Sequence, residues 1–126
     1  MPLNIFIDLS SAFDTIDHGI LLSKLESYGF NNISLQLIQS YLSNRKQYVQ
    51  FDESISSLLP IFTGVPQGSI LGPLLFIIYV NDISACSKKF NFITYADDTT
   101  LIITMRNDIQ HHCLINEELS KVYTWL

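Results

Sequence analysis

The chain has 126 residues, enough for one domain that buries about two thirds of its unfolded surface. Its 48% hydrophobic and 15% charged content excludes a disordered polyampholyte. Seven basic residues against twelve acidic ones give a formal charge of −5, so composition does not supply an unaided grip on nucleic-acid phosphate. Either nucleic acid is not a ligand, or the basic partners of an acidic core lie elsewhere. The longest apolar run, Ile70 to Val80, is interrupted by Gly72-Pro73 and falls short of the roughly 20 residues of a membrane helix. With no secretory pattern at the N-terminus, an intracellular protein without a membrane span is expected.

Leu3 to Ile7, ending at Asp8, reads as a strand buried on both faces with a carboxylate at its C-terminal end. Ser10 to Phe30 carries Phe13, Ile16, Ile20, Leu21, Leu25 and Tyr28 at helical spacing, with Asp17 as a cap of the regular part and Gly29 as the stop. A second amphipathic helix runs through Leu35, Leu37, Ile38, Tyr41 and Leu42 to near Asn44. Gln47 to Phe51 and Leu58 to Thr63 read as paired strands joined by the polar segment Asp52 to Ser57. Gly64-Val65-Pro66-Gln67-Gly68-Ser69 breaks regular structure, and Ser69 caps a buried helix from about Ile70 to Asn81, whose first turn tolerates Pro73.

Phe90 to Thr94 and Thr99 to Thr104 are strongly β-forming and flank Tyr95-Ala96-Asp97-Asp98, which reads as a hairpin with two carboxylates at its tip. Asp108 opens a last helix with Leu114, Leu119, Val122, Tyr123 and Leu126 on its apolar side. Cys86 and Cys113 read as buried thiols without a disulfide framework. His111-His112-Cys113 does not read as a metal site, because neighbouring helix residues do not share a face. The order describes one α+β domain over residues 1–126, a small antiparallel sheet backed by helices, similar to a split β-α-β arrangement without its last strand.

If the Leu3–Asp8 strand neighbours the hairpin, three carboxylates share one edge of the sheet. Asp is also an ordinary turn residue, so the hairpin alone is not decisive. Clustered carboxylates call for a counter-ion, and a pair of Mg²⁺ ions held by oxygen ligands suits them. Two such ions about 4 Å apart can activate a hydroxyl and stabilise a leaving oxygen in phosphoryl transfer.

Phe6-Ile7-Asp8-Leu9-Ser10-Ser11-Ala12-Phe13-Asp14, Gly64-Val65-Pro66-Gln67-Gly68-Ser69-Ile70-Leu71-Gly72-Pro73-Leu74 and Tyr95-Ala96-Asp97-Asp98 resemble, in order, motifs A, B and C of reverse transcriptases. Phe13 to His18 and the Gly-Val-Pro-Gln-Gly-Ser segment are similar to the non-LTR, LINE-type retrotransposon polymerases. The resemblance implies an RNA-directed DNA polymerase palm that uses two Mg²⁺ ions, with Mn²⁺ as an alternative, an RNA template, a DNA primer and dNTPs. It makes Asp8 and Asp97 the principal metal ligands, Asp98 the third carboxylate, and Leu9 a backbone carbonyl ligand. Gln67 and Gly68 would lie against the incoming nucleotide and the template base. Phe13 would be a steric gate against the ribose 2′-hydroxyl, with a plain core aromatic as the alternative. Arg45-Lys46, between Tyr41 and Tyr48, is the one small basic and aromatic cluster that suits a nucleic-acid backbone, and Tyr95 is a further candidate contact.

Ser11 stands where the family commonly carries a basic residue. The family's basic finger motifs, its motif D lysine and its thumb would lie outside this stretch. An isolated chain of this kind is therefore expected to be inactive, since phosphoryl transfer depends on positioning and charge stabilisation. The alternative is a non-catalytic remnant of a mobile element, with an open sheet edge available for self-association.

Overall fold

A computed structural model describes residues 1–9, 11–104 and 109–126. In chain order the elements are β1 (Pro2–Asp8), α1 (His18–Ser27), α2 (Asn32–Leu42), β2 (Lys46–Gln47), β3 (Gln50–Phe51), β4 (Ser54–Ile55), β5 (Leu59–Pro60), α3 (Leu71–Val80), a 3-10 turn (Asn81–Ala85), β6 (Asn91–Tyr95), β7 (Asp98–Thr104) and α4 (Ile109–Trp125). They divide into two compact units, one of Met1–Ser10 with Val80–Leu126 and one of Ser11–Tyr79. The expected helix openings at Ser10 and Asp108 lie outside the described residues.

The first unit is built on a three-stranded antiparallel sheet in the order β1-β7-β6. Proline takes the first position of the edge strand, a place where sheets tolerate it. Leu101 and Ile103 of β7 are buried with Phe90, Ile115 and Val122, and Leu3, Ile5, Ile7 and Phe92 pack against them. Each fully buried side chain of this kind contributes about 1.5–3 kcal/mol. The expectation that β1 is buried on both faces is corrected. Its burial alternates, and Asn4, Phe6 and Asp8 are exposed, because the core shared with α4 lies on one face of the sheet. Among residues 111–125 of α4 the buried positions are Ile115, Glu118 and Val122, while Tyr123, expected on the apolar side, is 81% exposed. Cys113 is exposed and Cys86 half-buried, so neither is the buried thiol the sequence suggests. Buried Glu118 is satisfied rather than orphaned. It accepts from Lys121 Nζ at 2.5 Å and from the Ser87 hydroxyl, which ties α4 to the segment after the 3-10 turn.

In the second unit the expected helix from Ser10 to Phe30 is shorter and runs only over His18–Ser27. Residues before it form turns, since the carbonyls of Phe13 and Ile16 accept tertiary bonds from the N–H groups of Val65 and Gly64, both at 2.8 Å, in place of helical ones. Asp17 caps α1 by accepting from the N–H of Ile20 at 2.8 Å. At the other end, Gly29, with φ of 91°, lets its own N–H reach Glu26 O and the N–H of Phe30 reach Leu25 O, a Schellman closure. Asn31 caps α2 through the N–H of Ser34, and α2 packs on α1.

The single strand pair expected over residues 47–63 is instead two short ladders, β2 with β5 and β3 with β4. Asp52, with φ of 51°, turns the chain early enough for Ser54–Ile55 to fold back on Gln50–Phe51. Helix α3 is capped by Ser69, whose Oγ accepts from the N–H of Gly72 at 3.0 Å. It is not buried all round as its composition suggests. Gly72, Leu75 and Phe76 are buried, whereas Leu71, Leu74 and Ile77 are 41–55% exposed, because the described residues cover one stripe of the helix.

Candidate active-site residues

The register of the sheet fixes where the acidic residues stand. Asp8 lies directly opposite Asp98, and Asp98 directly opposite Tyr95, so the three form a row across the exposed face. Directly opposed side chains have Cβ atoms about 4.5–5.5 Å apart. The turn between β6 and β7 consists of Ala96 and Asp97, so the expected Asp-Asp tip is really an Ala-Asp tip with Asp98 already in the ladder. Ala96 has φ of 52°, a conformation that costs a non-glycine residue roughly 1 kcal/mol and is retained here beside the carboxylates. Leu9 follows Asp8 at the end of β1.

Two like charges directly opposite each other destabilise a sheet unless a cation lies between them. Among the described residues no three His, Cys, Asp or Glu side chains form a group that could by themselves hold a metal ion. Mg²⁺ does not need such a group, because it keeps several waters and is bound through one or two carboxylates plus substrate phosphates. A hard-oxygen row of Asp8 and Asp98 with Asp97 at the adjoining turn therefore fits a divalent cation that is completed by substrate. The next row on the same face, Phe6, Thr100 and Ile93, sets exposed apolar surface beside the carboxylates, with Phe6 78% and Ile93 57% exposed.

In the second unit the turn after β1 and the Gly64–Ser69 loop are bonded into one piece. Gly64 has φ of 76°, and a Cβ there would lie 2.7 Å from the Cα and carbonyl oxygen of Asp14, so only glycine fits between the two segments. Its carbonyl accepts from His18 Nε2 and from Arg45 Nη1, both at 2.8 Å. Asp17 and Thr63 form an antiparallel bridge beside it. Beyond that knot, Phe13, Gln67 and Gly68 line a single cleft of about 280 Å³ with Pro66 and Pro73. The ring of Phe13 also packs on buried Phe76 at a tilt of 34°, with centroids 4.6 Å apart, so a residue that lines the cleft is held by the interior. A second cleft of about 520 Å³ is lined by Asp14, Arg45, Gln47, Thr63 and Gln67.

Arg45, read from the sequence as a backbone-phosphate contact, spends one guanidinium N–H on Gly64, while Lys46 opens β2 and is exposed. Tyr95 is 82% exposed at the end of β6. Sequence reasoning passed over Asp14 and His18. Asp14 accepts from Gln67 Nε2 at 3.0 Å on each of its carboxylate oxygens, and His18 holds the loop that carries Gln67. The Phe13-to-His18 wording contained both residues, but pairings across 46 and 53 positions leave no periodic signal.

The profile of the family described as reverse transcriptase (RNA-dependent DNA polymerase) matches residues 3–125. The chain is 31% identical over 127 residues to the RNA-directed DNA polymerase from mobile element jockey of Drosophila melanogaster, an alignment that covers 95% of this chain and 14% of that protein. It is 36% identical over 105 residues to the probable RNA-directed DNA polymerase from transposon BS, covering 78% of this chain and 12% of the relative. The probable polymerase from transposon X-element is 34% identical over 112 residues, covering 86% and 12%; both come from the same fly. The chain thus spans only about an eighth of the length of these relatives. A mixed fold of helices and small antiparallel sheets, with the three motifs in order and a match over nearly every residue, leads to one conclusion: the chain belongs to the reverse transcriptase family, in its non-LTR retrotransposon branch.

Proposed function

We propose that this chain is the palm of an RNA-directed DNA polymerase, and that Asp8, Asp97 and Asp98 hold two divalent cations, Mg²⁺ by preference, for nucleotidyl transfer from a dNTP to the 3′-hydroxyl of a DNA primer on an RNA template. The observation that carries this reading is the in-register pairing of β1 with β7, which sets Asp8 opposite Asp98 and one residue from the Asp97 turn. Asp8 and Asp97 act as the principal ligands, Asp98 as the third carboxylate, and Leu9 offers its carbonyl. When bound, the ions supply activation of the attacking hydroxyl and stabilisation of the leaving oxygen. The carboxylates are the hard oxygen donors that keep the ions in place, and the rigid ladder beneath them fixes their spacing.

Phe13, Gln67 and Gly68 contribute a nucleotide-binding surface, supported by their shared cleft. A ring wall at Phe13 excludes an added 2′-hydroxyl by clash and by leaving it without a partner. Tyr95 and Lys46 are exposed and available to primer or template. Primer extension tests the assignment, with this chain set into the jockey polymerase in place of the segment it matches, on an RNA template with a DNA primer. Extension is expected, and Asp8→Asn or Asp97→Asn should each lower it on the order of 10³-fold. Undiminished extension by Asp97→Asn would refute the metal role.

The open outer edges of β1 and β6, unpaired among the described residues, support a second reading in which copies associate edge to edge. Light scattering that stays monomeric as concentration rises would exclude it.

A further inference from the structure

We infer that Asp14 is a positioning residue that fixes which end of the Gln67 side-chain amide faces a nucleotide; the assignment rests on the nucleotide-binding reading of Gln67. A glutamine amide has a donor end and an acceptor end of nearly equal shape, and left free it presents either. Here the choice is made by chemistry. Asp14 offers two carboxylate oxygens, each 3.0 Å from Gln67 Nε2, and an ionised carboxylate only accepts. The NH₂ end is therefore held on Asp14, and Oε1 is turned away from it. Gln67 lines two clefts of its unit, the one with Phe13 and Gly68 and the one with Asp14 and Arg45, so the residue borders both.

Asp14 is itself well placed for this task. Its N–H bonds to Ser11 O at 2.8 Å, and its backbone lies against Gly64 so closely that no Cβ fits between them. The neighbouring carbonyl of Phe13 takes the N–H of Val65, two residues before Gln67. The backbones that bear the two side chains are thus joined before the side chains meet. What this arrangement selects is a ligand group that donates a hydrogen bond, a hydroxyl or an exocyclic amine of the nucleotide, over one that only accepts.

Two measurements on the chain test the inference. In the isotope-labelled protein the two NH signals of the Gln67 side-chain amide should stand displaced from the free-amide positions. These should collapse toward the free-amide position in Asp14→Ala and return in Asp14→Glu, which keeps the carboxylate. Signals that do not respond to Asp14→Ala would overturn the pairing. Titration with Mg²⁺-dNTP then reads the consequence. Gln67→Ala should weaken binding, and Asp14→Ala should weaken it roughly two- to tenfold, the effect of leaving one rotamer-rich side chain unfixed. Because both act through one group, Asp14→Ala/Gln67→Ala should bind no more weakly than Gln67→Ala alone. Additive losses, or full affinity in Asp14→Ala while Gln67→Ala is weak, would overturn the inference and leave the nucleotide-binding reading standing. Unchanged binding by Gln67→Ala, or no binding by the parent chain, would overturn that reading and the inference with it.

Discussion

Replacing Gly64 by alanine separates two effects that glycine substitutions usually combine. Gly29 and Gly64 both have positive φ, 91° and 76°, so an alanine at either bears the left-handed backbone penalty of roughly 1 kcal/mol. At Gly29 nothing lies within 4 Å of the added Cβ, and the penalty stands alone. At Gly64 the Cβ meets three backbone atoms, Asp14 Cα and O at 2.7 Å and Phe13 O at 2.8 Å, none of which can swing aside as a side chain would. Relieving that overlap requires the two segments to part, at a further cost of about 1–3 kcal/mol. It also strains the bonds from Gly64 N to Ile16 O and from His18 and Arg45 to the Gly64 carbonyl. Urea unfolding followed by circular dichroism should therefore show Gly29→Ala destabilised by about 1 kcal/mol and Gly64→Ala by about 2–4 kcal/mol. Equal losses at the two sites would refute the close approach of the two motif-bearing segments.

Two further outcomes concern polar groups. The Lys121 ammonium, with help from the Ser87 hydroxyl, holds the Glu118 carboxyl below the ordinary glutamate range, so its stabilising contribution is present above that range and is lost as pH falls through the lower folded value. Urea midpoints taken from neutral into acid pH should fall less steeply in Glu118→Gln than in the parent, and identical slopes would contradict the assignment. The buried hydroxyl of Tyr41 has no hydrogen-bond partner among the described residues, so Tyr41→Phe should leave stability unchanged or raise it by up to about 1 kcal/mol. A loss of that size in thermal unfolding would show that the hydroxyl is satisfied in solution.

The elements legible in the sequence are those that local physics decides. Alternating and β-branched residues around Tyr95-Ala96-Asp97-Asp98 specify the hairpin, and Asp17, Gly29 and Ser69 mark helix ends by capping chemistry that acts within a few residues. The juxtaposition of Asp8 with the hairpin is only a condition in the sequence, and the antiparallel register of β1 with β7 meets it by setting Asp8 opposite Asp98. Tertiary competition escaped the sequence. The carbonyls of Phe13 and Ile16 are taken by the Gly64–Val65 backbone, which delays the helix to His18, and no pattern within Ser10 to Phe30 announces that. Apolar composition misled for α3, where Leu74 and Ile77 are exposed, and at Tyr123, because hydrophobicity says what can be buried and not what covers it. Arg45 carried a charge that looked directed at phosphate, yet one of its donors closes an internal loop.

The carboxylates at the end of β1 and the start of β7 are proposed to form a divalent-cation site. Paramagnetic broadening by substoichiometric Mn²⁺ in the NMR spectrum of the labelled chain tests it most directly, without any need for activity. Signals of Asp8, Leu9, Asp97 and Asp98 should broaden first, recover on addition of excess Mg²⁺, and stay sharp in Asp8→Asn/Asp97→Asn. Broadening that spares these residues, or that persists unchanged in the double variant, would contradict the claim.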